Sequence, residues 1–564
     1  MKRAGFVPWP AETARRYREA GCWQGRPLGA WLWEWADGRG DRTALVDGEH
    51  RLSYRELAAR ADALAESLAE RGLADGDNIL VQLPNGWEFV VTTLACFRLG
   101  VAPVMMLPPH RAYELTSIAR HVDAKALVVP DRWKDFDHQT LAHEVATELA
   151  AELPGRPLVL VAGEEVRADS LDLRALAGTD EDVEARRKRL DERAPEADEI
   201  ALFLLSGGTT GLPKVIGRTH DDYSYNIRTS AAACAITEDT VYLTVLPAGH
   251  NFPLASPGIL GTLWAGGTVV MLPSPRPDAV FAAIERERVT TTSAVPAVAL
   301  SWSRAAADCG RDLSSLRHVH VGGSVLSHEL AASIGPALGC RLQQVYGMAE
   351  GLICYTAPDA PDEIAHTTQG SPISPHDELR VEGPDGQPVA PGGIGEMLTR
   401  GPYTPRGYFR APEVNARSYT ADGWYRTGDL VRITEGGHVV VCDRVKDLIN
   451  RGGEKIAAGE IETLVQEMPQ VAEVAAVAAP DPEVGERVCL FVRLHEGRTL
   501  TLAEVGAELT ARGLAAFKIP ERFEVLAELP HTPVGKPDKK ALRALLNAPS
   551  PSNPLLNDPT KGAA

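Results

Sequence analysis

The chain reads as an α/β protein in two units: a large N-terminal one with mostly parallel sheets, and a small α+β one near the C-terminal end. Three observations predict this. Its 564 residues exceed what one ordinary core fills. Short apolar, often β-branched runs recur near 126–129, 158–161, 200–205, 241–246, 268–272, 289–294, 317–321 and 341–345, with Ala- and Leu-rich amphipathic stretches between many of them. Strands buried on both faces read as continuous apolar runs, and their alternation with helices implies βα units. After about residue 444 the chain resumes an α+β pattern with its own apolar segments, 471–478 and 488–493, enough for a second core of about 100 residues. The expected units are 1–444 and 445–548, followed by a Pro-rich disordered tail, 549–564.

Individual elements follow from local signals. Ser53 and Glu56 form a capping-box pattern, and Leu57, Ala61, Leu64 and Leu68 fall on one helical face, which predicts a helix over 53–71 stopped by Gly72. Ile79 to Leu83 reads as a buried strand ending at Pro84. The charge-dense stretch 179–197 reads as a solvated helix or linker. Gly and Pro concentrate over 383–407 between short strands, which predicts an antiparallel or barrel-like section late in the large unit.

Composition excludes several function classes. The net charge of −18 argues against a nucleic-acid binder, which needs a basic face. No run of about 18 apolar residues predicts a membrane span. The N-terminus, MKRAGFVPWPAETARRYREAGCW, lacks the apolar stretch of a secretory signal. Eight scattered cysteines without CxxC or zinc spacing read as reduced thiols of a cytoplasmic protein.

The segment most informative about chemistry is Ser206-Gly207-Gly208-Thr209-Thr210-Gly211-Leu212-Pro213-Lys214, directly after the apolar run Ile200 to Leu205. Its three glycines let successive N–H groups point at an anion, and hydroxyls and a lysine add donors and charge, a suitable cradle for polyphosphate. It lacks the Walker A spacing. No G-x-G-x-x-G follows a strand near the start of a βαβ unit, which disfavours a dinucleotide oxidoreductase.

This string resembles the phosphate loop of the adenylate-forming superfamily. Five further motifs follow in that superfamily's order: Tyr346-Gly347-Met348-Ala349-Glu350, Tyr425-Arg426-Thr427-Gly428-Asp429, Asp443-Arg444-Val445-Lys446-Asp447, Arg451-Gly452-Gly453-Glu454-Lys455 and Pro533-Val534-Gly535-Lys536. WPAETARRYREAGCW near the start, RTHDDY at 218–223, HNFPLASPG at 250–258 and INRGGEKIAAGEIE at 449–462 narrow the resemblance to the stand-alone aryl-acid AMP ligases, over roughly residues 8 to 546. Those enzymes load 2,3-dihydroxybenzoate or salicylate onto aryl carrier proteins for siderophores and some peptide antibiotics. The implied fold is a large domain with two mostly parallel sheets and a distorted barrel, carrying a small α+β lid.

The resemblance also implies roles. ATP would lie against Ser206, Gly207, Thr209, Thr210 and Lys214 at its phosphates, and against Gly322, Gly323, Ser324, Val345, Tyr346 and Gly347 at adenine, with Asp429 and Arg444 on the ribose. Glu350 is the Mg²⁺ ligand, a hard oxygen donor suited to that ion. Lys536 bridges the substrate carboxylate and the α-phosphate as charge shifts between them. Lys446 is the hinge of a rotating small domain, and Gly452 and Gly453 line the tunnel for an incoming pantetheine thiol.

The acyl pocket is implied to comprise His250, Asn251, Phe252, Ser256, Gly322, Val345 and Ile353, with Asn251 on the 2-hydroxyl and His250 near the reaction centre. Ser256 favours a 3-hydroxylated acid, because a hydroxyl can bond a hydroxyl. Gly217, Gly249, Ile353 and Cys354 depart from the common pattern and suggest a recut pocket. 2,3-Dihydroxybenzoate therefore ranks first, 3-hydroxypicolinate second and salicylate third. A rival is an aryl-CoA synthetase, and a rival of another class is an inactive nucleotide-binding scaffold, which the joint presence of Lys214, Glu350, Asp429 and Lys536 disfavours. The sequence shows no carrier domain, so a separate carrier protein is the expected acceptor, docking on basic residues drawn from Arg451, Lys455, Arg487 and Lys518.

Overall fold

The structure is a computed structural model that describes residues 3–179, 182–206, 213–323, 326, 328–383, 385–444, 448–530 and 537–547. The helix expected over 53–71 spans Tyr54–Glu70. The Ser53 hydroxyl accepts from the Glu56 amide, the Glu56 carboxylate accepts in return, and Gly72 follows with φ +87. Its apolar face, Leu57, Ala61, Leu64 and Leu68, is fully buried.

Two large sheets carry the N-terminal unit. In one, Thr43–Asp47, Thr268–Met271, Val241–Thr244, Thr291–Ala294, His318–Gly322 and Arg341–Gly347 lie side by side in parallel pairs, with antiparallel strands at both edges. In the other, Ile200–Ser206, Ala102–Met105, Asn78–Val81, Ala126–Pro130 and Leu158–Ala162 pair in parallel, and Lys214–Thr219 turns back antiparallel at one edge. Crossover helices cover the sheets, so the strands are buried on both faces and read as apolar runs.

The section over 383–407 is not a barrel. Glu378–Glu382, Gly395–Arg400, Tyr425–Ile433 and Val439–Arg444 form an antiparallel sheet of four strands in linear order, open at both edges. Four strands are too few to close around a packed interior. The stretch 179–197 is also not simply solvated. Its helix, Val183–Asp191, buries Leu190 and Arg186, while Arg186 and Arg189 pair with Glu66 and Arg187 with Asp37. Charge density there marks a face that docks through ion pairs.

The last part of the chain has its own sheet. Val471–Asp481 and Gly485–Leu494 pair over ten residues, flanked by Leu448–Arg451, Glu454–Ala457 and Arg522–Val525. A separate apolar cluster that includes Ile449, Ile461, Val488, Leu490 and Leu509 packs against this sheet. The tail 549–564 lies outside the described residues. Among the described residues no helix is long and apolar enough to cross a membrane.

Candidate functional site

A cleft of about 230 Å³ opens where strands of both large sheets end. Met105, Ser206, Gly323, Val295 and Val345 line it, each at or just beyond the carboxyl end of a parallel strand. Open α/β sheets present their ligand crevices at those ends. The small C-terminal sheet closes the other side with Gly452, Gly453, Glu454 and Lys455.

The residues expected to take the aryl acid sit on one short helix, Asn251–Ala255, with His250 as its N-cap and Ser256 as its C-cap. The buried Tyr223 phenol donates to Asn251 Oδ1 at 2.9 Å, which leaves the Asn251 amide N–H₂ facing outward as a donor. One of its protons reaches Ser256 Oγ at 3.3 Å, so the Ser256 hydroxyl keeps its own proton to give. Burial pushes the Tyr223 phenol well above its ordinary pKa, so it remains a donor. Asn226 Nδ2 donates to the Ala255 carbonyl at 2.8 Å and pins the helix end, and the Tyr355 hydroxyl donates to the Ser256 carbonyl. Phe252 and Ile353 supply apolar wall.

Two of the four departures fall outside this pocket. Ile353 and Cys354 are neighbours on a strand and so point to opposite faces. Ile353 packs with Val345 on the cleft side, while Cys354 sits with Met397, Val431 and Val439 behind it. A methyl group on Gly217 would meet Ile200, Phe203 and Phe6, which belong to the core of the other sheet. Gly249 does line the cleft, but a methyl there would press on the Met106 carbonyl at 3.0 Å.

At the opposite end, Glu350 is 4% exposed and accepts from the Tyr408 hydroxyl at 2.7 Å. Lys214 donates to the same Tyr408 oxygen at 3.3 Å and lies over its ring. Burial alone would raise the Glu350 pKa, but Lys214, hydrogen bonds from Ser206 and Tyr408, and the charge of Lys455 outweigh it and hold the carboxyl below its ordinary value. A buried carboxylate oxygen favoured in its ionised form fits a hard divalent cation. Beside the cleft, Tyr346 donates to Asp429 Oδ2 at 2.7 Å, so the expected ring platform also orients the expected ribose carboxylate. Gly322 abuts the next strand, where a methyl group would lie 2.7 Å from the Val345 carbonyl.

Among the described residues, three contacts carry the small unit to the cleft. Gly453 packs on Val295, where a methyl group would approach to 2.7 Å, and Asn450 Nδ2 donates to the Gly323 carbonyl at 2.9 Å. Glu454 meets His250 Nε2 at 3.2 Å. Burial disfavours the charged imidazole, but the charge and hydrogen bond of Glu454 outweigh it and raise the His250 pKa, with Lys455 opposing. Glu454 is lowered in turn, burial again being outweighed, chiefly by His250. The pair's contribution to docking is therefore lost as pH rises through the raised His250 pKa, and as pH falls through the lowered Glu454 pKa. Glu454→Gln removes both causes that raise His250 and leaves burial, so the imidazole is expected to titrate below 6.5. Histidine NMR, with His250→Gln for assignment, checks this; an unchanged titration sinks the pairing.

Ser206, His250, Asn251, Phe252, Ser256, Gly323, Val345, Gly347, Glu350, Ile353, Gly452 and Gly453 thus meet in one cleft, with Lys214, Gly322, Tyr346 and Asp429 immediately around it. Gly207, Thr209, Thr210, Ser324, Lys446 and Lys536 lie outside the described residues, as does the Arg444 side chain. The expected docking patch does not hold for Lys518, whose side chain is 5% exposed between Glu114 and Glu460. Lys455 faces the cleft, and Arg451 and Arg487 both pair with Glu521. Sequence reasoning missed Tyr223, Tyr408, Glu454 and Glu114. Tyr223 and Glu454 lie inside strings already singled out, RTHDDY and RGGEK, whereas nothing local marks Tyr408 or Glu114.

Comparison with known proteins agrees with this geometry. The family model for AMP-binding enzymes matches residues 32–409, and that for the AMP-binding enzyme C-terminal domain matches 460–536. The chain is 56% identical to a salicylyl-CoA synthase / salicylate adenylyltransferase of a Streptomyces species, over 98% of this chain and 99% of that one. It is 47% identical to the 2,3-dihydroxybenzoate-AMP ligase of Bacillus subtilis, over 96% and 98%. The apo structure of Mycobacterium smegmatis MbtA superposes with a TM-score of 0.72 at 43% identity, covering 96% of this chain and 99% of that chain. With the buried Glu350 and the polar Asn251–Ser256 helix lining one cleft, this chain belongs to the AMP-binding enzyme family and is an adenylate-forming enzyme of the aryl-acid AMP ligase type.

Proposed function

We propose that this enzyme activates an aryl acid bearing a hydroxyl beside its carboxylate, 2,3-dihydroxybenzoate being favoured, and passes the acyl group to the pantetheine thiol of a separate aryl carrier protein. The setting would be cytoplasmic siderophore or peptide-antibiotic biosynthesis. The observation that carries the substrate reading is the Tyr223–Asn251–Ser256 relay, which offers an amide N–H and a hydroxyl proton on one helical turn. The Asn251 amide suits the 2-hydroxyl and Ser256 the 3-hydroxyl.

In the first step a substrate carboxylate oxygen attacks the α-phosphorus of ATP, and pyrophosphate leaves. Lys214, with Thr209 and Thr210, would hold the departing phosphates, Asp429 the ribose, and Lys536 the oxygens between which charge moves. Glu350 would hold Mg²⁺, which when bound neutralises phosphate charge. In the second step the thiol sulfur bonds to the acyl carbon, the bond to AMP breaks, and the thiol proton goes to solvent. Gly452 and Gly453 leave the cleft wall without side chains where the pantetheine arm would enter.

A second reading, salicylate with coenzyme A as acceptor, is favoured by the activities named for the Streptomyces relative. 3-Hydroxypicolinate also carries the hydroxyl that Asn251 suits. Aryl-acid-dependent pyrophosphate–ATP exchange across 2,3-dihydroxybenzoate, salicylate, 3-hydroxypicolinate and benzoate tests the substrate. Ser256→Ala is expected to cost about fivefold in kcat/KM with 2,3-dihydroxybenzoate and little with salicylate, one neutral hydrogen bond being worth about 1 kcal/mol. Equal losses on both acids would remove Ser256 from 3-hydroxyl recognition.

A further inference from the structure

A second ionic cluster joins the two units, through a pair 404 residues apart in sequence. Glu114 sits in the first turn of the helix Ala112–Val122, where its Oε2 accepts from the Arg111 amide at 3.0 Å. Its other oxygen, Oε1, accepts from Lys518 Nζ at 3.1 Å and from the Ala515 amide at 3.4 Å, both in the small unit. Lys518 also donates to both oxygens of Glu460 at 2.9 Å. The three side chains are 0%, 5% and 2% exposed. Around them the junction is close: a methyl group on Gly513 would lie 3.2 Å from Ala112 Cβ, and Tyr113 packs on the small unit's core.

A buried charge is tolerated only when it is paired. Lys518 keeps Glu460 wherever the small unit goes, since both belong to it. Glu114 belongs to the large unit and has Lys518 only in this arrangement, which is also the one that puts Gly452, Gly453 and Glu454 into the cleft. The helix cap fixes the Glu114 rotamer whether or not the small unit is docked. The large unit thus presents a preformed carboxylate to one lysine of its partner.

We infer that Glu114 is a positioning residue for thioester formation: it latches Lys518 so that the small unit stays in the pose that presents Gly452 and Gly453 to the incoming thiol. The inference rests on the two-step reading above. It assigns Glu114 no part in adenylation, because Lys518 and Glu460 reach the cleft but Glu114 itself does not line it.

Glu114→Gln keeps an acceptor for the helix cap and removes the charge. Gly513→Asn is an independent wedge, since asparagine tolerates the positive φ there but its side chain collides with Ala112 in this pose alone. Both half-reactions are measured with the aryl acid that exchanges best: pyrophosphate–ATP exchange, and thioester formation on coenzyme A and on a phosphopantetheinylated aryl carrier protein. Both variants are expected to lose about tenfold in kcat for thioester formation, the scale of one charge-assisted hydrogen bond, with exchange within about twofold of wild type. A parallel fall in both half-reactions, or transfer unchanged, overturns the latch. Hydrogen exchange of the same proteins provides the second readout: residues 513–518 should lose protection in Glu114→Gln while the helix Leu502–Ala511 keeps it. Unaltered protection also overturns it. Should the wild type exchange pyrophosphate yet load neither thiol, the proposed transfer reaction is what fails, and hydrogen exchange decides the latch.

Discussion

Glu350→Gln is expected to lower aryl-acid-dependent pyrophosphate exchange by about two to three orders of magnitude, the usual effect of removing one preorganised electrostatic group. Glutamine is isosteric and can still accept from Tyr408, so the turn around residue 350 keeps its shape. What disappears is the ionised oxygen, which Lys214, Ser206, Tyr408 and Lys455 hold ionised against the effect of burial. Without it, Lys214 faces Tyr408 with no buried carboxylate behind it. The loss should appear in kcat at saturating ATP, with a higher Mg²⁺ requirement and an almost unchanged circular dichroism spectrum. Exchange at the wild-type rate, with an unchanged Mg²⁺ dependence, would exclude Glu350 as the metal ligand.

The largest effect on stability is expected at Arg98, far from the cleft. Its side chain is 1% exposed, and it donates to Asp62 at 2.6 and 3.1 Å and to Asp191 at 2.6 Å, with Trp33 Nε1 giving Asp62 a further bond at 2.7 Å. Burial already raises the Asp62 pKa despite the opposing charge of Arg98. Arg98→Met preserves most of the apolar volume but strands that carboxylate, at a cost of about 3–5 kcal/mol. The deficit should shrink toward acid. A carboxyl whose folded pKa is raised binds its proton more tightly when folded, so it gives stability below its unfolded pKa that is lost as pH rises. Reversible urea unfolding of wild type and variant at pH 5 and pH 8 measures both expectations, and a pH-independent difference would remove Asp62 as the cause.

Much of the fold was legible because it is written locally. The apolar runs at 126–129, 158–161 and 200–205 each became a strand, since a segment buried on both faces needs no partner to declare its composition. The Ser53–Glu56 box marked its helix for the same reason. Of the antiparallel or barrel-like section expected over 383–407, the antiparallel sheet formed and a closed barrel did not, because Gly, Pro and short strands signal turns, and turn density does not tell an open sheet from a closed one. The helix expected within 179–197 formed, but its docked face was not legible, because the partners of its arginines, Glu66 and Asp37, lie more than a hundred residues away.

The sequence by itself, through motifs that resemble those of adenylate-forming enzymes, marked the residues proposed here for phosphate, metal and aryl chemistry. Only the tertiary structure decided how they are tuned. Asn251 presents its N–H₂ because Tyr223 occupies its oxygen, and Glu350 is ionised because Lys214 and Tyr408 converge on it from elsewhere in the chain. Lys518, a surface lysine by composition, is buried because Glu114, 404 residues earlier, meets it across the junction. Hydrogen bonds and ion pairs act over about 3 Å of space. Separation along the chain says nothing about that distance once the chain has folded.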